Sequence, residues 1–265
     1  DSHWLINNSR PNTANAPDLI SALLGWETMR SWNIGFDLGM LNNRLTVSFD
    51  WFNRKTINMV GPAPELPVTL GANVPKMNNA DMQSTGFELD LGWRDRIKDF
   101  DYGVHLLLSD DRQKILRYPN TTGKINTWYV GKYNGDIWGF ETIGIAKSQE
   151  EMDAHLASLP NGGQDALGVK WGAGDIMYRD LNGDGKISDG ATLNDPGDKK
   201  VIGNTSPRFR FGLDLNASWK GIDVRLFFQG VAKRDAWRFL APPERQHVLG
   251  SYGRYLAVGL LYFSS

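Results

Sequence analysis

The chain contains no cysteine, which excludes a disulfide framework, a thiolate zinc site and a cysteine nucleophile. It also lacks any apolar run approaching the eighteen or so residues of a membrane-spanning helix; the longest, Tyr255 to Phe263, is about half that. A helical membrane protein is excluded. Charge of one sign is missing too: 29 basic residues against 30 acidic ones leave a formal net charge of -1. No field exists to draw the chain to a polyanion, so no nucleic-acid partner is expected. Histidine is scarce, and His3, His105, His155 and His247 are scattered without metal-ligand spacing, so each reads as an ordinary polar residue. The chain starts Asp1-Ser2-His3-Trp4 without a basic and then apolar leader, so any exported precursor is expected to have lost its beginning.

What is present pulls two ways. Mean hydropathy is -0.40, as polar as a soluble protein, yet the chain carries 10 Trp, 12 Phe and 8 Tyr. A membrane β-barrel produces this mixture because alternate residues face lipid and a wet lumen, with aromatics collected at both interfaces. A soluble β-sandwich produces it as well.

The clearest regularity in the chain is alternation of period two, which marks one-sided strands. Trp32, Ile34, Phe36 and Leu38 are apolar, while Asn33, Gly35 and Asp37 between them are small or polar. Asn42-Asn43 then predicts a tight turn of type I′, because asparagine tolerates a left-handed backbone. Leu45, Val47, Phe49 and Trp51 return on one side, with Arg44, Thr46, Ser48 and Asp50 on the other. A second hairpin follows from Phe87, Leu89, Leu91 and Trp93 to Phe100, Tyr102, Val104, Leu106 and Leu108. A third runs from Phe209, Phe211, Leu213, Leu215, Ala217 and Trp219 through Lys220-Gly221 to Ile222, Val224, Leu226 and Phe228. The hairpins are placed near 31–52, 84–109 and 207–230. The sidedness places Phe36, Val47, Leu89, Leu213 and Leu226 toward lipid and Asp37, Ser48, Asp90, Asp214 and Arg225 toward the lumen.

Connections inside hairpins are short, whereas 53–83 and 110–206 are long and rich in Gly, Pro and Asn. Short turns on one side and long loops on the other is the asymmetry of outer-membrane barrels, whose long loops lie outside the cell. The second loop should fold on itself, with a helix opened by the capping box Ser148-Gln149-Glu150-Glu151 and carrying Met152, Leu156 and Leu159. Trp32 and Trp51 fall near one rim and Trp93, Phe100 and Trp219 near the other, as interfacial girdles require. Six strands cannot close a barrel, since single-chain barrels start at about eight, so the wall must be completed by other sequence. The tail from Ala232, through Pro242-Pro243, is expected to loop into another strand over Tyr255 to Phe263.

Particular strings sharpen this reading. The run Gly174-Asp175-Ile176-Met177-Tyr178-Arg179-Asp180-Leu181-Asn182-Gly183-Asp184-Gly185-Lys186-Ile187, then Asp195-Pro196-Gly197-Asp198, Val201-Ile202-Gly203-Asn204, Pro207-Arg208-Phe209 and Phe227-Phe228-Gln229-Gly230, resembles the SusC/RagA family of TonB-linked outer-membrane proteins. So do Leu41-Asn42-Asn43-Arg44-Leu45, Ser84-Thr85-Gly86-Phe87-Glu88 and Gly139-Phe140-Glu141-Thr142-Ile143-Gly144-Ile145. Together they cover most of the chain between Trp26 and Gly230. The resemblance implies an all-β fold, an antiparallel transmembrane β-barrel segment belonging to a plugged barrel of about 22 strands. It implies import across the Gram-negative outer membrane of an oligosaccharide or peptide cargo, a SusD-like surface lipoprotein as lid, and energy from TonB through an N-terminal segment. Residues 1–265 are accordingly expected to form a partial barrel domain, with the N-terminal plug and the barrel C-terminus lying outside it, and not an enzyme.

One motif carries sharp chemistry. Asp180, Asn182 and Asp184 place oxygen ligands at loop positions one, three and five, Gly185 supplies the turn at six, the Lys186 carbonyl stands at seven and the Ser188 hydroxyl at nine, as in an EF-hand-like calcium loop. Position twelve is Ala191, where an EF-hand has glutamate; Asp189, Asp195 and Asp198 are the possible replacements. A structural Ca²⁺ is the expected cofactor, and a metal-free Asx-rich turn is the competing account.

Other constellations are weaker. Glu88 and Asp90 lie two apart on a strand, a spacing a glycosidase could use, but lumen-facing charges are the better account of them. Trp128, Tyr129, Tyr133 and Trp138 could stack sugar rings or form the core of the long loop. The alternative to an importer segment is a soluble calcium-dependent glycan-binding or hydrolase β-domain, and the third reading is an inert structural barrel.

Overall fold

The computed structural model describes residues 24–62 and 77–236 and the backbone of 261–264. Seven antiparallel strands form one sheet in the order β1 (Thr28–Met40), β2 (Leu45–Val60), β3 (Asn78–Ile97), β4 (Phe100–Arg117), β9 (Arg208–Trp219), β10 (Ile222–Lys233) and β11 (Leu261–Ser264). Between β4 and β9 the chain builds β5 (Asp136–Phe140) paired with β8 (Lys199–Asn204), β6 (Thr142–Ile145) paired with β7 (Ile176–Tyr178), and the helix α1 (Gln149–Ala157). No second sheet covers the apolar face among the described residues, which separates this wall from a sandwich.

The turns follow their residues. Asn42 and Asn43 take φ of 56° and 60°, and Arg44 N–H donates to the Leu41 carbonyl at 3.3 Å, closing the expected left-handed turn, with Leu41 left-handed as well. Lys220 and Gly221 turn β9 into β10 at φ of 48° and 85°. Lys98-Asp99 joins β3 to β4 with Lys98 at 56°.

Register converts alternation into rows. Leu38, Val47, Leu91, Leu106, Leu213 and Phe228 share one level across six strands. Above this row stand Phe36, Phe49, Leu89, Leu108 and Phe211, and then Ile34, Trp51 and Phe87. Below it come Met40, Leu45, Trp93, Val104, Leu215 and Leu226, and at the bottom Phe100 meets Trp219, which meets Ile222. From the Phe87 row to Phe100 is ten residues of β4, about 33 Å along the strand. At the usual tilt of about 40° that is an apolar band of about 25 Å, the height an outer-membrane wall presents to lipid. Trp32 is 75 % exposed and Ile34 65 %; such side chains in a continuous band require an apolar medium. Trp32 pairs with Asn53 and Ile34 with Trp51, so the two tryptophans stand one row apart at the upper rim.

The strands outrun their expected ends. β2 continues to Val60, β3 starts at Asn78 and β4 reaches Arg117, so much of 53–83 and the first residues of 110–206 belong to the sheet and not to loops. Above the Trp51 row the outer face turns polar, with Asn53, Lys55, Gln83, Thr85, Arg112 and Lys114 where lipid would otherwise be, while Met82 and Ile115 on the opposite face pack under the long loop with Ala80 and Trp128. Alternation vanishes there while hydrogen-bonded pairing persists. The tail strand is found at Leu261–Ser264 against β10, and the rest of the expected Tyr255 strand lies outside the described residues, as do His3 and His247.

Sidedness has a direct check. In the full-length parent, single cysteines at Asp37, Ser48, Asp90, Asp214 or Arg225 should react with a water-soluble thiol reagent, while cysteines at Phe36, Val47, Leu89, Leu213 or Leu226 should be spared. Equal labelling of both sets would refute the assignment of faces.

Candidate functional site

The inner face of the wall is charged and hydrogen-bonded. Asp50 lies directly opposite Glu88, and Ser48 opposite Asp90. His105 Nε2 sits 2.6 Å from Asp90 Oδ1, and Arg225 Nε donates to both oxygens of Asp214 at 2.8 and 3.0 Å. Arg210 pairs with Asp111. A shallow depression of about 540 Å³ opens among Asp50, Glu88, Asp90, Ser109, Arg210 and Gln229. Such a surface suits hydrated, polar cargo or the polar face of another domain.

One kink divides the arginines of β9. Alternation expects Arg208 and Arg210 on the same inner face, but Phe209 has a φ of 52° and the strand turns over there. Arg210 lines the inner depression, whereas Arg208 lines a separate one with Trp51, Phe87 and Arg112 on the outer face. Arg208 grips the buried Asp110 with two guanidinium nitrogens.

The long loop is folded. Ser148 caps α1 by accepting from the Glu151 N–H at 3.3 Å, and the Glu151 carboxylate reaches back to the N–H of Lys147 at 2.7 Å, one residue earlier than a standard capping box. Met152 is fully buried and packs with Ala146 and Met177, flanked by Leu156 and Trp171. Gln164, wholly buried, ties this core together. Its amide nitrogen donates to the Ile176 carbonyl at 3.1 Å, and its oxygen accepts from the Tyr178 N–H at 2.7 Å. His155 Nε2 stands 3.0 Å from that same oxygen. Sequence reading missed Gln164, since an isolated glutamine carries no pattern.

The four aromatics separate. Trp128 packs edge-on against Tyr118 over Ala80 and Ile115. Trp138 donates its indole N–H to the Tyr129 hydroxyl at 3.1 Å, and burial pushes the Tyr129 phenol pKa up. Tyr133 is held apart, under Arg112 at 4.5 Å and Lys114 at 5.7 Å. They are pieces of loop architecture rather than one sugar platform. Beside them Lys132 donates to the carbonyls of Ile125 and Thr127 at 3.0 and 2.9 Å, with burial lowering its pKa.

The oxygen-rich loop converges on three carboxylates. One oxygen each from Asp180, Asp184 and Asp198 lies within 4.8 Å of the others. Asp180 accepts from the N–H groups of Gly183 at 2.6 Å and Gly185 at 2.8 Å. Desolvation raises the Asp180 pKa, but these bonds from Gly185 and Gly183 outweigh it and hold the carboxyl below its ordinary value. Asn182 accepts from the Asp184 N–H at 2.9 Å, and the Lys186 N–H donates to Asp184 at 3.1 Å. Of the three acids considered for position twelve, Asp198 is the one whose carboxylate lies beside those of Asp180 and Asp184. Asp189 pairs with Lys199, and Asp195 closes its own turn onto Thr192 and Gly197. The Ser188 hydroxyl donates to Asp198 Oδ2 at 3.1 Å, with its oxygen lone pairs left over. Ala191 instead gives its carbonyl to the Ile125 N–H at 3.0 Å.

An antiparallel wall with an apolar outer band, a charged inner face and a folded long loop above one rim defines a segment of a transmembrane β-barrel. The sequence signature described as "TonB dependent receptor-like, beta-barrel" matches residues 5–233, and the chain belongs to that family. It is 24% identical over 239 residues to TonB-dependent receptor P3 of Formosa agariphila, covering 85% of this chain and 22% of that protein. It is 28% identical over 226 residues to TonB-dependent receptor P26 of the same organism, covering 81% and 21%. TonB-dependent receptor SusC of Bacteroides thetaiotaomicron is 24% identical over 218 residues, covering 78% and 19%. Among solved structures, the RagAB peptide transporter aligns with a TM-score of 0.56 at 22% identity over 79% of this chain and 21% of that one, which shows the shared fold. The chain thus spans about a fifth of the length of the curated relatives it matches.

Proposed function

We propose that this chain is a wall segment, with its extracellular loop, of a SusC/RagA-type importer that carries oligosaccharides or peptides across the Gram-negative outer membrane. The full barrel would have about 22 strands around a plug, work beneath a SusD-like surface lipoprotein and draw energy from TonB. The observation that carries the reading is the sheet with two unlike faces, lipid-facing rows outside and charged rows inside, in a chain whose family is one of receptors and not of enzymes. A soluble glycan-binding or hydrolase domain would leave those outer rows against water. Deleting the full-length parent should abolish uptake of a labelled oligosaccharide or peptide mixture to the same extent as deleting TonB. Undiminished uptake, or a parent extracted from cells without detergent, would overturn the proposal.

The loop reading is a structural Ca²⁺ held by Asp180, Asp184 and Asp198, with Asn182 and the Lys186 carbonyl completing an oxygen shell and Ser188 acting through Asp198. Its support is the convergence of three carboxylates on one point, which a divalent cation neutralises with loose six-to-eight oxygen geometry. Without the EF-hand glutamate, affinity should be of order 10⁻⁴ to 10⁻³ M. Calcium should therefore slow proteolysis of the loop in the intact parent, and Asp184→Ala should remove the effect. Equal cleavage rates in calcium and in chelator would leave the Asx-turn account standing. Because the Asp180 carboxyl is held below its ordinary pKa, its contribution to the loop is complete above about pH 4 and lost as pH falls through the depressed value.

A further inference from the structure

Immediately above the apolar band, the outer face of the wall carries cations. Counting outward-facing positions up from the Trp51–Phe87 level, the next row is Trp32, Asn53, Thr85 and Arg112, and the row after it is Arg30, Lys55, Gln83 and Lys114. Arg30, Lys55, Arg112 and Lys114 are all exposed. Two acids stand beside these rows, and both are paired elsewhere: Asp110 is buried and held by both arms of Arg208, and Asp81 is held by Arg117 at 2.8 Å. Net positive charge therefore collects at one height.

The cations are also arranged. Residues 131–134 form a strap along the edge of β4 where β9 no longer pairs with it. Gly131 N–H donates to the Ile115 carbonyl at 2.8 Å, Ile115 N–H to Lys132 at 2.9 Å and Asn134 N–H to Gln113 at 2.8 Å. This strap fixes Tyr133 beside Lys114. Its ring carries the Arg112 guanidinium at 4.5 Å and the Lys114 ammonium at 5.7 Å. A guanidinium held over a ring keeps its in-plane N–H donors free for a second partner. Beneath lies a depression of about 480 Å³, floored by Trp51 and Phe87 and walled by Arg112, Lys114, Tyr133 and Arg208.

We propose that this outward depression binds the phosphate of an outer-leaflet glycolipid headgroup, with Arg112 and Lys114 as its ligands, Tyr133 positioning both, and Lys55 and Arg30 extending the contact along the wall. The proposal rests on the outer-membrane reading above. An aromatic and apolar floor meeting a cationic upper wall matches a molecule whose acyl chains lie in the band and whose phosphate lies at its edge. The charge selects the phosphate, and the position selects a lipid over a free anion, because the chains occupy the rows directly below.

The test uses the full-length parent purified in detergent, with bound lipid read by native mass spectrometry. Monophosphoryl lipid A should bind in preference to the same lipid with its phosphate removed. Arg112→Gln combined with Lys114→Gln should weaken binding of the phosphorylated form at least about tenfold and leave the dephosphorylated form unchanged. Tyr133→Phe should bind as wild type and Tyr133→Ala should lose several-fold. If the double variant does not fold, as judged by loss of heat-modifiable migration, Lys55→Gln and Lys114→Gln singly should each show a smaller loss in the same direction. No preference for the phosphorylated lipid, or unchanged binding in folded variants, would overturn the proposal. Displacement of the lipid by equimolar inorganic phosphate would do so as well, assigning the site to a free anion. A parent that is not an integral outer-membrane protein would instead sink the underlying reading, and that outcome is visible at the extraction step.

Discussion

Arginine in place of Leu213 should cost the full-length barrel about 2 to 4 kcal/mol, measured as a shift in reversible unfolding in lipid, whereas arginine in place of Asn216 should be tolerated. Leu213 sits between Leu106 and Phe228 in the row with two apolar rows above it and three aliphatic or aromatic levels below, which is close to the middle of the band. A guanidinium there has no water to reach without thinning the bilayer, and neither its own outward row nor the rows next to it carry an acid to offset its desolvation. Asn216 is opposite Gly103 and Arg225 on the wet face, where a new charge is hydrated. Equal losses at the two positions would mean that the apolar rows do not face lipid.

The second large effect is expected at Asp198. This carboxylate is wholly buried and accepts from the Leu181 N–H at 2.7 Å, the Ser188 N–H at 2.6 Å and the Ser188 hydroxyl at 3.1 Å. Alanine would remove the acceptor of these three groups and of the longer bond from the Asn182 N–H at 3.4 Å, at about 1 to 3 kcal/mol for each group left buried and unpaired. The loop around Asp180 should therefore open locally, and proteolysis between α1 and β8 should accelerate at least tenfold with or without calcium. Asp184→Ala should do less in chelator, since Asp184 is half-buried and accepts a single backbone N–H, that of Lys186 at 3.1 Å, so that its main expected effect is loss of whatever protection added calcium gives. If Asp198→Ala were cleaved no faster than wild type in chelator, the carboxylate would have no structural role and only metal could account for its placement.

The wall was readable because its physics is periodic. Where outward residues meet lipid, composition must alternate, and every strand core from Trp32 to Phe228 shows it. Alternation lapsed where the medium changed: at Lys55, Gln83 and Lys114 the outer face is polar and the opposite face packs only locally, around Met82 and Ile115, so composition no longer marks a strand although the ladder continues. The kink at Phe209 was invisible for another reason, since a left-handed phenylalanine breaks a steric preference instead of following one. In the loop, local motifs were legible, as with Ser148 capping α1 and Asp180, Asn182 and Asp184 lining a turn. Long-range partners were not. Asp198 was one of three acids named for the twelfth position, and nothing in its own string shows that it comes to lie beside Asp180 and Asp184 and accepts from Leu181 and Ser188; Gln164 carried no signal at all.

The clasp between Arg208 and Asp110 bears on the order in which the wall assembles. β1 to β4 can zip as successive hairpins, and β9 with β10 likewise, but the seam from β4 to β9 joins strands separated by the whole insertion of 118–207. Closing such a span from a disordered chain is slow in search time although cheap in equilibrium terms, with each doubling of length adding only about 0.6 kcal/mol. An insertion that folds first brings its ends together in advance. Asp110 and Arg208 stand at the point where that seam begins, so their pairing would be the first long-range event, and removing it should delay barrel closure more than it weakens the closed barrel.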